Sequence, residues 1–183
     1  IIFEVICAIG VKKARGAFPP GQHPVETGRR LRRMNTEKGT AMTLTAEQQT
    51  IHPASGYAGD IAPELAWHWV QSGEAVLVDV RTDAERAWVG QVPGAVPLAW
   101  KQWPSMAMNP DFDARLQAVA EQEAGKKIVL LCRSGVRSVA AAKRATELGL
   151  AAYNILEGFE GDANSQGQRG GLGGWRLHGL PWS

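Results

Sequence analysis

Cysteine is nearly absent from this chain, with only Cys7 and Cys132 among 183 residues. Two cysteines so far apart exclude a disulfide framework and suit a reducing compartment, so a cytoplasmic location is expected. Histidine is also scarce, and His23, His52, His68 and His178 are scattered. They show no metal-ligand spacing, so neither a metal nor a cofactor is expected. Residues 162–167 open like a calcium loop, with Asp162, Asn164 and Gln166, but the twelfth position is Gly173, where a bidentate Glu is needed.

No apolar run is long enough for a membrane. Residues 1–11 are apolar apart from Glu4, yet eleven residues cannot span a bilayer as a helix. Lys12, Lys13 and Arg15 follow that run instead of preceding it, the reverse of a secretory signal. Charge of one sign is lacking too, since the net is only +2. The excess is local, because residues 1–41 hold eight Lys/Arg against three acids and residues 42–183 hold twelve against fifteen. A basic segment would suit nucleic acid or anionic lipid. This one has no aromatic interleaving and no amphipathic period, so neither partner is expected. Residues 1–41 read as an unstructured extension, or as sequence upstream of a start at Met34 or Met42. Residues 42–58 read as a lead-in and 59–183 as one domain.

The domain alternates strand and helix signals, without an internal repeat. Pro63 suits a first helical turn, and that helix continues through Leu65, Trp69 and Val70 to Gly73. Residues 75–80 form a buried strand, and Thr82-Asp-Ala-Glu85 is a capping box, which accounts for Glu85 without catalysis. A turn at residues 90–95 leads to a short strand over 95–98. Asn109-Pro110 opens a helix whose stripe is Phe112, Leu116, Val119 and Ala120, and residues 153–156 form the last strand. This alternation predicts an α/β fold, a parallel sheet of about five strands with helices on both faces in three layers. Trp67, Trp69 and Trp88 fall on helices, where packing is the default reading. Trp175, Leu177, Leu180 and Trp182 are expected to dock the C-terminal residues on the sheet.

The chemistry concentrates between Lys126 and Leu148. Ile128 to Leu131 is a branched apolar run typical of a strand buried on both faces. Residues 138–148 read as a helix with Val139, Ala142, Ala145 and Leu148 inward. Cys132 therefore lies at the carboxyl end of a parallel strand, where open α/β sheets bind ligands. The loop after it, Arg133, Ser134, Gly135, Val136, Arg137 and Ser138, closes onto a helix N-terminus that favours anions. Such a field also favours a nucleophilic thiolate. Arg133 is a candidate for steering an anionic substrate. Arg137 is a second candidate, or else an ion-pair partner of Asp79. Ser134 and Ser138 place hydroxyl donors beside the thiol, and Ser138 could equally cap the helix. Arg81 has the same double reading as Arg137.

Three blocks carry a resemblance: Leu77-Val-Asp-Val-Arg81, Gly90-Gln-Val-Pro-Gly-Ala-Val-Pro97 and Val129-Leu-Leu-Cys-Arg-Ser-Gly-Val-Arg-Ser138, with weaker matches at 156–158, 174–175 and 179–181. From about Gly59 to Trp182 the chain resembles single-domain rhodaneses, the thiosulfate sulfurtransferases. The resemblance implies that Cys132 takes a sulfane sulfur from a small anionic donor as a persulfide and yields it to a thiol, which can belong to a protein, or to cyanide in assays. The loop from Arg133 to Ser138 would bind substrate, with Asp79, Arg81 and Trp175 in support, Trp175 because it follows a loop that should approach the site. Gln91 stands where the family usually has His, a change expected to alter a structural hydrogen bond. The glycine-rich segment 158–174 exceeds the family's usual connection, and it either shapes the mouth of the site or is simply flexible. Two other functions remain open here: a cysteine-dependent phosphatase or arsenate reductase, and a non-catalytic sulfur-carrier or partner-binding module.

Overall fold

The structure is a computed structural model and describes residues 43–183. The expected extension of residues 1–41, with Cys7, lies outside the described residues. In chain order the elements are β1 (Gly59–Ile61), α1 (Pro63–Gln71), β2 (Ala75–Asp79), α2 (Asp83–Val89), β3 (Val96–Pro97), β4 (Lys101–Gln102), β5 (Ala107–Met108), α3 (Phe112–Gln122), β6 (Lys127–Leu131), α4 (Val136–Glu147) and β7 (Ala152–Ile155). Five strands form one sheet in the order β1-β7-β6-β2-β3, and every pairing in it is parallel. The expected α/β architecture, with a parallel five-stranded central sheet, is therefore present.

The two central runs explain the layering. All five residues of β2 and the last four of β6 are buried, as a strand covered on both faces requires. Side chains alternate across the pleat. Leu77, Val129 and Leu131 face a core built with Leu65, Ala66 and Trp69 of α1 and with Phe159, Trp175 and Leu180 from the C-terminal residues. Val76, Val78, Ile128 and Leu130 face Phe112 and Leu116 of α3 and Ala141, Ala142 and Ala145 of α4. Small alanines let α4 lie close over β6 and β7. Pro97 is confined to an edge strand, where its missing N–H breaks no ladder.

The structure departs from the expectations in several places. β1 has no counterpart among the expected strands, because three residues at an edge are too few for a periodic signal. The β4–β5 ribbon is likewise too short to read from sequence. α4 starts at Val136, two residues earlier than expected, since Gly135 takes a left-handed φ of 96° and turns the chain into the helix. That start shifts the buried stripe to Ser138, Ala141, Ala142 and Ala145, and Val139 is only half-buried. Of the C-terminal anchors, Trp175 and Leu180 are buried while Leu177 and Trp182 are exposed. Leu44, in the lead-in, joins the α1 side of the core. Among the described residues no helix is long and apolar enough to cross a membrane.

Candidate active site

The site forms where β6 ends. Leu131 is the last residue of the strand, and Cys132, 1% exposed, is the first of the loop. Gly135 brings its own N–H back to Cys132 Sγ at 3.2 Å. The first-turn amides of α4 have no acceptor within the helix, so its positive end adjoins the sulfur. Ser138, one turn into α4, places Oγ 3.2 Å from Sγ. It does not cap the helix, because the N-cap position belongs to Gly135.

The loop rests on residues 156–160. Phe159 N–H donates to the Cys132 carbonyl at 2.8 Å and Glu160 N–H to the Arg133 carbonyl at 2.9 Å. These bonds hold the loop carbonyls away from the sulfur. Gly158, at φ 64°, allows the approach, since a Cβ there would meet Arg133 C, Cys132 O and Ser134 N at 2.6 Å.

Above the sulfur is a cavity of about 390 Å³ whose wall includes Glu85 and Trp88 of α2, Trp103 and Met106 of the β4–β5 connection, and Arg169. Arg133, Ser134, Val136 and Arg137 line it with Cys132, whereas Gly135 and Ser138, the other two residues of the expected loop, approach the sulfur without lining the cavity. Trp88 is 80% exposed and Trp103 61%. Trp88 therefore does not pack in the core as expected, and it forms part of the cavity rim. Arg169 brings the glycine-rich segment to the mouth of the cavity, anchored by a bond from Nη1 to the Gly161 carbonyl at 2.6 Å. Of the two readings of that segment, shaping the mouth is the one the geometry agrees with.

The charges are arranged differently from the sequence reading. Arg137 pairs with Glu85, not with Asp79, donating to both carboxylate oxygens at 2.7 and 2.6 Å. Glu85 also closes the capping box, accepting from Thr82 N–H at 2.9 Å. Burial works against its charge, but the Arg137 and Thr82 hydrogen bonds prevail and hold Glu85 down to about 2. Donating these bonds to Glu85 raises Arg137. Asp79 is bound instead to Arg81, whose Nε and Nη2 donate to it at 3.0 and 2.6 Å, and both side chains are fully buried. Arg81 also donates to the Gly90 carbonyl and stacks 3.9 Å over Phe159. Asp79 and Arg81 thus brace the residues beneath the loop and do not line the cavity.

Trp175 is not brought to the sulfur. It is fully buried, edge-on to Trp67, with Nε1 donating to the Pro181 carbonyl. Gln91 lies outside the Cys132 cavity, its backbone paired with Ser183. Among the described residues Arg133 and Arg169 have no carboxylate partner, which leaves two unneutralised cations at the cavity.

Sequence reasoning missed Arg169 and Asn154. Asn154 is 2% exposed on β7 and accepts from Ser138 Oγ at 2.6 Å. A polar amide inside an otherwise apolar final strand was its signal. Arg169 had none, since only the path of the glycine-rich segment delivers it.

Comparison with known proteins agrees with this fold. A family model described as "Rhodanese-like domain" matches residues 62–165. The chain is 35% identical over 120 residues to an uncharacterized protein of Rickettsia conorii, covering 62% of this chain and 86% of that one. It is 32% identical over 123 residues to the thiosulfate sulfurtransferase GlpE of Actinobacillus succinogenes, covering 67% of this chain and 87% of the relative. The crystal structure of Rv0390 from M. tuberculosis superposes with a TM-score of 0.61 at 41% identity, over 69% of this chain and 98% of that one.

Proposed function

The chain belongs to the rhodanese-like domain family, and from that premise we propose that it is a sulfurtransferase working through a persulfide on Cys132. The observation that carries this reading is the placing of Sγ between the Gly135 N–H and Ser138, at the base of a cavity with two free arginines. The Cys132 thiolate attacks the outer sulfur of thiosulfate. One S–S bond forms while the S–S bond within the donor breaks, and sulfite leaves with the electron pair. The persulfide's outer sulfur then lies among the amides that open α4, donors already oriented toward negative charge. A thiol or cyanide attacks that sulfur, the persulfide bond breaks, and the electron pair returns to Cys132.

Arg133 and Arg169 draw the anionic donor to the cavity. The loop amides act on a single sulfur atom. Only four residues separate Cys132 from Arg137, one fewer than in cysteine phosphatases of similar arrangement. A tetrahedral oxyanion needs a wider ring of donors at hydrogen-bond distance. Arg137, moreover, already directs both terminal nitrogens to Glu85, so it has no free fork for a phosphoryl group. Both facts favour sulfur over phosphate. The reducing setting that suits the cysteine usage places the enzyme in the cytoplasm under this reading.

Mass spectrometry of the protein after exposure to thiosulfate tests it. One added sulfur on the Cys132 peptide is expected. No adduct, together with efficient aryl phosphate hydrolysis lost in Cys132→Ser, would overturn it.

A further inference from the structure

Behind the catalytic loop runs a line of polar groups that sulfur transfer does not require. Asn154 on β7 is in register with Asp60 on β1, and its Nδ2 donates to Asp60 Oδ1 at 2.8 Å. A carboxylate only accepts, so the amide nitrogen must face Asp60 and the amide oxygen must face Ser138. That oxygen can only accept as well. The single hydroxyl hydrogen of Ser138 is therefore directed to Asn154 at 2.6 Å, the shortest of its three contacts. Gly135 O at 3.0 Å and Cys132 Sγ at 3.2 Å are the others. Ser138 consequently presents a lone pair to Cys132. A lone pair suits an S–H and does nothing for a negative sulfur.

We propose that Asp60, acting through Asn154, is a positioning residue that sets the hydrogen-bond polarity of Ser138 toward Cys132. While the Asp60 carboxyl accepts from Asn154, Ser138 withholds its hydrogen from the charged sulfur, which stays a stronger nucleophile because one stabilising donor is missing. Tyr57 donates to Asp60 Oδ1 at 2.8 Å and supports the acceptor state. Burial and the neighbouring carboxylate push the Tyr57 hydroxyl up to about 12, so it stays a donor. His52 meets Asp60 only through backbone bonds. The other charges near Cys132 are Arg133 in the loop, Arg137 with its Glu85 partner and Arg169 at the mouth of the cavity, and none of these arginines hydrogen-bonds Ser138 or Asn154. Asp60 and Tyr57 precede the span matched by the family model.

The proposal rests on Cys132 being the nucleophile, and its test uses no sulfur donor. Iodoacetamide alkylation of the full chain, followed on the Cys132 peptide by mass spectrometry, is measured against pH. In Asp60→Asn the amide of Asn154 is free to turn, and Ser138 can then donate to the sulfur. The midpoint of the rate profile should move to lower pH by roughly half a unit or more, with a lower plateau rate. Removal of a charge alone would also lower the midpoint, so the same change is made in the Ser138→Ala background, where the relay predicts that the shift disappears. An equal shift in both backgrounds, or none in either, would overturn the proposal. Should Asp60→Asn fail to fold by circular dichroism, Asn154→Leu removes the acceptor itself and carries the same comparison. Sulfur transfer by these variants is a separate measurement, so failure of the relay leaves the sulfurtransferase reading standing, and the reverse.

Discussion

Arg137 and Glu85 face each other across the Cys132 cavity, joined by two hydrogen bonds of 2.7 and 2.6 Å. One pair thus ties α2 to the first turn of α4 and neutralises the arginine nearest the helix start. The sequence presents Arg137 as a free cation beside the nucleophile or as a partner of Asp79. The fold makes it a brace, and among the described residues Arg133 and Arg169 remain as the cavity arginines without a carboxylate partner.

Glu85→Gln should separate these roles. Removing one partner of this largely buried pair should destabilise the domain by about 1–3 kcal/mol, read as a lower Tm. It also frees the Arg137 charge, so KM for thiosulfate should fall. The pH dependence has a definite sign. Because the folded-state value is depressed from 4.5 to about 2, the pair's contribution is complete above pH 4.5 and lost as pH falls toward 2. The Tm difference between the two proteins should be constant near neutrality and shrink in acid. A constant difference down to pH 2 would contradict the ion pair.

Cys132→Ser should abolish thiosulfate-dependent sulfur transfer with the fold retained, since the change is nearly isosteric at a site 1% exposed. Cys7→Ser should leave turnover unchanged. A thiosulfate:cyanide assay with circular dichroism checks both, and substantial turnover by the Cys132 variant would refute the persulfide route.

Arg169→Ala should raise KM for thiosulfate several-fold with a smaller effect on kcat, because a cation at the mouth acts on capture of the anion. Rising salt should weaken capture by the wild type more than by the variant. A change confined to kcat would place Arg169 at the chemical step instead.

Gly158→Ala should damage both stability and transfer. The residue has φ 64°, and an added Cβ would lie 2.6 Å from three backbone atoms of residues 132–134. Left-handed strain alone costs about 1–2 kcal/mol, and the clash must also displace the loop that holds the sulfur. Thermal melts and turnover check this. Loss of stability with full activity would show that the loop does not depend on this support.

Gly135→Ala offers the contrast, since nothing approaches a Cβ there within 3.9 Å. Its penalty should be the strain of φ 96° alone, about 1–2 kcal/mol, seen as a modest drop in Tm and a smaller loss of turnover than in Gly158→Ala. Equal damage from the two substitutions would argue against the close packing at Gly158.

The chain's local patterns determined much of this protein by themselves. The apolar run before Cys132 reads as a doubly buried strand because it is short, unbroken and branched, and the glycine and hydroxyl residues after it suit a turn into a helix. The position of Cys132 at the strand end followed, as did the parallel sheet, because alternating strand and helix signals leave few other topologies. Thr82 and Glu85 were readable as a capping box because that motif spans four residues. Tertiary structure alone decided what each long polar side chain touches. Glu85 meets Arg137 only because the parallel pairing of β2 and β6 sets their carboxyl ends side by side. Asp60 reaches Ser138 through Asn154 because β1 adds to β7 at the sheet edge, in a strand too short to announce itself. Trp175 lies in the core because residues 156–180 fold back over the α1 face, and the same path carries Arg169 to the cavity. Periodicity reports which face of an element is apolar. It holds no information about which distant element arrives to meet a given charge.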